Sequence, residues 1–332
     1  MILVTGGAGY VGSHAVRRLR RAGAETVVVD DLSEGHRAAV EGEIEECDLA
    51  DLAALQEVFA RRRPKAVMHF AASCLVGESV EDPAKYWRNN VSNTLNLLEA
   101  MRSTGCDRFV FSSTCSVYGN PVRVPIDEEH PVAPINPYAS TKAAVERALE
   151  EYERGYGLRW IALRYFNAAG ASESGGIGED HDPESHLLPR VLWVPMGKAR
   201  EVEIYGRDYP TPDGTCVRDY VHVDDLAEAH VLALEAIDAG RARGVFNLGT
   251  GTGNSVLEVV ETCAKVTGKE IPRTDRPRRP GDPPVLVSGG ERAKKTLGWT
   301  PRYATLEAIV RTAWEWHRTH PEGYASGKPS RG

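Results

Sequence analysis

A tyrosine and a lysine four positions apart, Tyr138 and Lys142, are the residues of this sequence best suited to proton transfer. Pro137 precedes them and apolar residues follow at helical spacing, which predicts a helix with both side chains on one face. An unperturbed tyrosine ionises near pH ~10, so acting as a base near pH 7 requires about 4 kcal/mol of stabilisation of its phenolate. A lysine ammonium beside it favours that phenolate. Thr114 adds a hydroxyl that can bridge Tyr138 and a substrate oxygen, and the three form the predicted catalytic set.

The glycine-rich run Gly6-Gly7-Ala8-Gly9-Tyr10-Val11-Gly12 lies between a strand-like segment and a helix-like one. It reads as G-x-G-x-x-G, a loop that turns sharply and lets a pyrophosphate approach the N-terminus of a helix. Asp30 follows about twenty residues later, where a carboxylate binds a ribose diol and repels a 2′-phosphate. No arginine immediately follows Asp30 or Asp31, so the sequence predicts NAD rather than NADP. The alternative is an ordinary turn with an acidic loop.

The elements that must position these motifs alternate between strands and helices. Strands are predicted at Met1–Val4, Thr26–Val29, Ala66–Phe70 and Phe109–Ser112. Helices are predicted at Ser13–Ala22, at Leu52–Phe59 and along the stripe Val91, Leu95, Leu98 and Met101. This alternation is typical of an α/β fold with a doubly wound parallel sheet of the Rossmann type.

The pattern changes near Asn167, where turn-forming residues become frequent. We therefore expect an NAD-binding domain at 1–170 and a smaller C-terminal α/β substrate domain at 171–332, with segments at about 216–250 returning to the first domain. Shorter elements are predicted at Glu201–Tyr205, Asp225–Ala239, Val245–Leu248 and Leu306–His317. Residues 321–332 resemble a loose tail.

The composition favours a cytoplasmic protein that acts on a small molecule. The 332 residues are 42% apolar and carry a net charge of −7, which argues against a nucleic-acid partner. No apolar run is long enough for a membrane span, and the N-terminal residues do not resemble a secretory signal. Six cysteines without C-x-x-C spacing fit reduced thiols. His181 and His186 are five positions apart rather than at the i, i+4 spacing of a helical zinc motif, so no metal site is predicted.

Taken together, several stretches resemble the extended short-chain dehydrogenase/reductase family, and within it the epimerases that act on C4 of UDP-sugars. The resemblance extends from Leu3 to about Tyr324, and its most specific part is the run from Asp208 to Val223. Other matching stretches are Thr5–His14, His69–Ala72, Val76–Ser79, Asn89–Val91, Ser116–Gly119 and Arg164–Asn167.

This resemblance implies a set of binding residues around NAD and a UDP-sugar. The implied cofactor contacts are Gly6, Gly9, Tyr10, Val11, Gly12, Asp30, Asp31, Asp48, Leu49, Phe70, Ala71, Ala72, Asn89, Lys142 and Phe166. The implied substrate contacts are Thr114, Tyr138, Asn167, His186, Leu187, Tyr205, Arg218, Arg279, Asp282 and Leu286. Arginines suit a diphosphate because a guanidinium binds phosphate oxygens bidentately.

The resemblance further implies interconversion of UDP-glucose and UDP-galactose through a 4-keto sugar, with hydride passing to NAD⁺ and back. Three positions depart from the family pattern: Cys74 replaces a common lysine, His186 a common asparagine, and Leu286 a tyrosine found in some members. UDP-uronates and UDP-N-acetylhexosamines stay open as substrates, and an NAD-sensing regulator without catalysis is the non-enzymatic alternative. A homodimer is expected because related enzymes pair the helices that correspond to Val91–Met101 and Tyr138–Leu149 in a four-helix bundle.

Overall fold

The computed structural model describes residues 1–279 and 281–324. Its strands are β1 (Ile2–Thr5), β2 (Thr26–Asp30), β3 (Glu43–Glu46), β4 (Ala66–His69), β5 (Arg108–Thr114), β6 (Arg159–Tyr165), β7 (Asn167–Ala169), β8 (Val202–Tyr205), β9 (Val217–His222), β10 (Gly244–Leu248), β11 (Gly253–Ser255), β12 (Arg273–Arg276) and β13 (Val285–Leu286). Its α-helices are α1 (Tyr10–Arg21), α2 (Leu52–Arg62), α3 (Val76–Glu81), α4 (Pro83–Tyr86), α5 (Asn93–Thr104), α6 (Pro137–Tyr156), α7 (Leu187–Met196), α8 (Val223–Asp238), α9 (Val256–Thr267), α10 (Glu291–Leu297) and α11 (Leu306–Thr319).

Seven of these strands form a parallel sheet in the order β10-β6-β5-β4-β1-β2-β3. The chain winds outward from β1 in one direction through β2 and β3, and in the other through β4, β5 and β6. The direction reverses between β1 and β4, and open sheets of this kind bind ligands at that reversal, beyond the carboxyl ends of the strands. The predicted doubly wound sheet is therefore confirmed.

Apolar side chains cover both faces of this sheet, as a buried parallel sheet requires. Alternation along β1 sends Val4 to the core shared with α1 and α8, and Leu3 to the core shared with α2, α5 and α6. Both side chains are fully buried. The two cores hold the carboxyl ends of the strands rigidly, and the motifs of interest lie at those ends.

A smaller α/β unit is attached beside this edge. In it β9 pairs with β7, β11 and β13, β8 pairs with β12, and α7, α9 and α11 pack around residues such as Leu192, Val260 and Val310. The chain crosses between the two units more than once, because α8 packs against α1 and β10 joins the large sheet beside β6. The domain boundaries at 170 and 171 stay a prediction.

The described end of the chain is better ordered than the sequence suggested. The Tyr324 ring stacks on His36 at 4.8 Å, and its hydroxyl accepts a hydrogen bond from the Gly178 N–H at 3.0 Å. These contacts therefore fix the chain as far as Tyr324, while residues 325–332 of the predicted tail lie outside the described residues. Among the described residues, no helix has the length and apolar character needed to cross a membrane.

Candidate active site

A cavity of about 370 Å³ opens at the carboxyl edge of the large sheet, between the glycine-rich loop and the smaller unit. The residues of the predicted site that line it are Gly6, Gly9, Tyr10, Val11, Gly12, Phe70, Ala72, Thr114, Tyr138, Lys142, Phe166, Asn167 and His186. Residues from the two separate predictions, for proton transfer and for dinucleotide binding, thus share one cavity.

The glycine-rich loop fits a pyrophosphate for steric and electrostatic reasons. A Cβ on Gly7 would come within 2.7 Å of the Val28 side chain, and one on Gly12 would collide with the Gly6 carbonyl. Gly6 itself has φ +70°, a conformation that favours glycine. No side chain caps α1 and no acidic residue lies in its first turn, so the positive end of the helix is available to an anion. These residues fit the predicted NAD.

Asp30 lies behind the loop, at the end of β2. Its carboxylate accepts hydrogen bonds from the backbone N–H groups of Ala8 and Leu32, each at 2.9 Å. Burial raises the pKa of this carboxyl, and the two N–H donors act in the opposite direction. Asp30 is not one of the residues that line the cavity, so its contact with a ribose stays a prediction.

The remaining predicted cofactor residues lie around this end of the site without lining the cavity. Asp31 accepts hydrogen bonds from Ser33, and Asp48 accepts one from the Ala50 N–H at 2.8 Å, so both order their own turns. Leu49 is buried, Ala71 packs against Gly6, and Asn89 donates to the Ser73 hydroxyl at 3.0 Å. Their roles toward a cofactor stay predictions.

Tyr138 and Lys142 occupy the first turns of α6, which begins after the cap residue Asn136. Burial raises the pKa of the Tyr138 phenol well above its usual value, and a hydrogen bond with Thr114 acts in the opposite direction. The expected lowering of this pKa by Lys142 is not seen, because the cost of burying a phenolate dominates. Proton removal by Tyr138 near neutral pH therefore depends on positive charge brought into the cavity.

Lys142 is 4% exposed and held firmly. Its Nζ donates to the Ser112 carbonyl at 2.9 Å and lies 4.8 Å from the centroid of the Phe111 ring. Burial lowers the pKa of its ammonium to about 8. The ammonium thus stays charged at neutral pH.

A buried ion pair fixes α6 against the ends of β5 and β6. The Arg164 Nε lies 2.9 Å from the Glu146 Oε1, and the Ser113 hydroxyl donates to the same oxygen at 2.6 Å. Both charged side chains are at least nine-tenths buried. Breaking such a pair leaves an uncompensated buried charge, so the pair holds the helix that carries Tyr138 in one position.

Four of the predicted substrate residues form a cluster in the smaller unit. Asp282 lies 2.9 Å from the Arg279 Nε and 3.8 Å from an Arg218 nitrogen, and the Arg279 guanidinium lies over the Tyr205 ring at 5.1 Å. Arg218 also donates to the carbonyls of Val217 and Pro283, both at 2.9 Å. Two guanidinium groups against one carboxylate leave an excess of positive charge, which suits a diphosphate.

Leu187 and Leu286, like the four residues of that cluster, are not among the residues that line the cavity. Leu187 is the first residue of α7, directly after His186. Leu286 is half-buried on β13 and pairs in register with Arg218 on β9. Register with Arg218 places Leu286 beside that arginine in the sheet, and its contact with a sugar stays a prediction.

The loop 179–186 gathers two carboxylates and two imidazoles, those of Glu179, Glu184, His181 and His186. Their potential ligand atoms all lie within 4.8 Å of one another. Burial opposes the charged imidazoles, yet Glu179 and Glu184 raise the pKa of both histidines. No metal site was predicted here, because His181 and His186 lack the i, i+4 spacing of a helical zinc motif. That spacing does not apply, since these described residues form an irregular loop.

Sequence reasoning missed several residues of the cavity. Ser112 and Tyr165 share a hydrogen bond of 2.6 Å at the carboxyl ends of β5 and β6, and Ser116 lies 3.2 Å from the Thr114 hydroxyl. Ser112 and Ser116 stand on either side of Thr114 at the end of a predicted strand, a signal that could have identified them, whereas Tyr165 lies on β6, which was not predicted. Tyr324, which also lines the cavity, carries no such signal because it reaches the site through tertiary packing alone.

The comparisons with known proteins agree with this geometry. The NAD dependent epimerase/dehydratase family matches residues 2–249. A UDP-glucose 4-epimerase of Lacticaseibacillus casei is 49% identical over 325 residues, covering 97% of this chain and 98% of that protein.

Two solved structures superimpose closely. The UDP-glucose 4-epimerase from Brucella ovis in complex with NAD has a TM-score of 0.92 and 50% identity, covering 95% of this chain and 97% of that one. The UDP-glucose 4-epimerase from Bifidobacterium longum in complex with NAD⁺ and UDP has a TM-score of 0.91 and 37% identity. The match covers 97% of this chain and 99% of that one. The resemblance noted in the sequence is thereby confirmed, and the chain belongs to the NAD-dependent epimerase/dehydratase family.

Proposed function

We propose that this protein interconverts UDP-glucose and UDP-galactose by inverting C4 of the sugar, with NAD as its cofactor. The observation that carries the proposal is the meeting of Tyr138, Lys142 and Thr114 in the cavity that the glycine-rich loop also lines. The relatives of known activity support the same reaction. A regulator without catalysis would have no need of this arrangement.

The chain's own residues account for the proton transfers. The Tyr138 phenolate takes the proton of the sugar 4-hydroxyl as C4 becomes a ketone, and returns it when C4 is reduced from its other face. Thr114 hydrogen-bonds the same oxygen atoms and orients them toward Tyr138. Lys142, through its charge, favours the phenolate. NAD⁺ supplies, when bound, the hydride acceptor and donor for C4.

Inversion requires the sugar to turn over while the rest of the substrate stays in place. Arg218 and Arg279 hold the diphosphate, and Asn167, Tyr205 and His186 complete the grip on the nucleotide. Because the binding energy is concentrated on UDP, the sugar itself is held loosely enough to rotate between the two half-reactions.

Incubation with UDP-galactose, UDP-N-acetylgalactosamine and UDP-galacturonate, followed by NMR of the products, tests the proposed substrate. We expect UDP-glucose as the main product at the highest kcat/KM. Preferred turnover of the uronate would contradict the proposal, as would binding of all three without reaction.

The purified protein is expected to retain NAD, near one molecule per chain. Asp30 favours a free ribose diol and repels a 2′-phosphate, so NADP should be absent. Denaturation followed by chromatography of the released nucleotide measures the amount of NAD per chain and shows whether NADP is present. Recovery of NADP would refute the role of Asp30, whereas recovery of NAD from wild type and its loss from Asp30→Ala would support it.

N-acetylated substrates are the second candidate, because Leu286 lacks the phenol ring that some relatives carry. We expect measurable turnover of UDP-N-acetylgalactosamine and its reduction by roughly 10–200-fold in Leu286→Tyr, the range that a steric clash in a pocket can impose. The ratio of kcat/KM for UDP-galactose and UDP-N-acetylgalactosamine measures the effect. If the ratio is the same in both proteins, Leu286 does not control sugar choice.

The protein is further expected to act in the cytoplasm as a homodimer. All six cysteines, each within the described residues, are free thiols, which suits a reducing compartment. Trp87 (44% exposed), Leu95 (36%) and Tyr156 (63%) present apolar surface on and beside α5 and α6. Burying this surface against a second copy would pack α5 and α6 of one chain against α5 and α6 of the other.

Light scattering should therefore give twice the chain mass of 36.3 kDa at micromolar concentration. Leu95→Glu would place a charge in the shared surface and should release monomers. Val122→Glu, which changes an exposed residue (75%) outside these helices, is the matched control and should stay dimeric. A wild-type mass of one chain would contradict the dimer.

A further inference from the structure

We propose that Glu179, His181, Glu184 and His186 form a binding site for a zinc-like divalent cation at the lip of the active-site cavity. The proposal does not depend on the proposed function, because no step of the reaction uses this cation. Two histidine nitrogens and two carboxylate oxygens are a ligand set suited to Zn²⁺, which binds them in tetrahedral geometry. Mg²⁺ and Ca²⁺ prefer oxygen ligands alone.

The distances between the ligand atoms match a tetrahedron. Zinc bonds of about 2.0–2.1 Å require ligand atoms roughly 3.3 Å apart along each edge. The Glu179 Oε1 lies 3.4 Å from the His181 Nδ1 and 3.0 Å from the His186 Nδ1. The Glu184 Oε2 lies 3.5 Å from the His181 Nδ1 and its Oε1 lies 3.0 Å from the His186 Nδ1, and one of these two oxygens would serve as the ligand. The ligand atoms lie within 4.8 Å of one another, so the widest pair must approach by up to about 1.5 Å when a metal binds.

Hydrogen bonds satisfy only part of this cluster, in which the His186 Nδ1 is hydrogen-bonded to the Glu184 Oε1 at 3.0 Å. Each Nδ1 is almost equally close to both carboxylates, but one N–H can point at only one acceptor. The Glu179 Oε1 and the His181 Nδ1 are both buried and have no hydrogen bond of adequate geometry. Glu179 is 4% exposed, so water does not readily reach it. A cation at the centre accepts electron pairs from all four atoms at once.

The site would be closed, with four protein ligands and no open position, as in structural zinc sites. Its role would be to fix the loop 179–186 against the cavity, where the backbone of Glu179 is already held by a hydrogen bond of 3.1 Å from the Trp316 indole. Coordination through Nδ1 leaves the Nε2 of His186 for the nucleotide. The proposal therefore adds a metal to the loop without removing a predicted substrate contact.

Titration of the full-length, chelator-treated protein with Co²⁺ tests the site. The probe protein carries Cys74→Ser, because Cys74 is an exposed thiol that lines the same cavity. We expect one Co²⁺ per chain with the intense visible absorption of tetrahedral coordination, displaced by Zn²⁺. His181→Asn and Glu184→Gln each remove a direct ligand, so each should weaken binding by more than the roughly 10–100-fold that the loss of an outer-shell partner costs.

His36→Asn is the matched control, because His36 lines the same cavity beside Asp180 but lies outside the cluster. It should keep Co²⁺ binding, and Zn²⁺ should raise the thermal midpoint of this control but not of Glu184→Gln. The inference is overturned if the Cys74→Ser protein binds no stoichiometric Co²⁺. It is also overturned if the ligand variants bind as tightly as His36→Asn, or if the spectrum is the weak one of octahedral coordination.

Discussion

Tyr138→Phe is expected to lower the rate of epimerisation by about 10²–10⁴-fold, the usual cost of losing a general acid–base group. The substitution removes one hydroxyl and keeps the ring, which packs edge-on against Tyr86 at 6.5 Å. We expect kcat to fall while the affinity for UDP stays close to wild type, because the arginine cluster that would bind UDP lies in the smaller unit. Steady-state kinetics together with calorimetric titration of UDP separate the two effects.

Tyr152→Phe is the matched control for this variant. Tyr152 lies on the same helix, but its hydroxyl donates to Glu99 at 2.8 Å rather than lining the cavity. Loss of the Tyr152 hydroxyl should leave the rate of epimerisation near that of wild type. If Tyr138→Phe keeps more than about a tenth of the wild-type rate, Tyr138 is not the base.

Lys142→Met is expected to reduce the rate at neutral pH by roughly 10²-fold and to move the rising limb of the pH profile to higher pH. The phenolate is the form that removes the proton, so activity rises as Tyr138 ionises. Positive charge on Lys142 lowers the pKa of that phenol and moves the rise toward neutral pH. Removing this charge leaves only the Thr114 hydrogen bond and bound NAD⁺ to oppose burial, which raises this pKa. Above the Lys142 pKa of about 8, wild type and variant should therefore become more similar.

The kcat/KM for UDP-galactose measured from pH 6 to 10 provides this comparison. Lys85→Met is the control, because Lys85 also lines the cavity but is paired with Glu78 at 2.5 Å. Its rising limb should keep the wild-type position. A Lys142→Met profile that is lower at every pH by the same factor would show that Lys142 positions groups without acting through its charge.

Much of the fold could be predicted from local patterns. Strands β1, β2, β4 and β5 were recognised because apolar residues buried on both faces of a parallel sheet leave continuous runs. The strand β6 was missed, since the charged residues Arg159 and Arg164 flank its apolar run and leave only the short stretch 160–163 between them. Arg164 is buried in that strand only because Glu146 neutralises it from α6. The ion pair joins residues 18 positions apart on different elements, so no local sequence pattern indicates that Arg164 is buried in a strand.

The site could be predicted only in part, for a similar reason. The tyrosine–lysine pair and the glycine-rich loop each lie within a few consecutive residues, so both motifs can be recognised in the sequence. The cluster of Glu179, His181, Glu184 and His186 depends on the path of an irregular loop, which residue spacing does not report. The pKa of Tyr138 depends on burial, which arises from tertiary packing and is not visible in residue spacing.

The most direct test of the central claim uses UDP-galactose carrying deuterium at C4, incubated with the protein in ordinary water. The account predicts UDP-glucose that retains the deuterium at C4, since the C4 hydrogen leaves and returns as hydride within the closed site and only the hydroxyl proton passes through Tyr138. NMR of the product measures this retention. UDP-glucose with hydrogen from solvent at C4 would contradict the account.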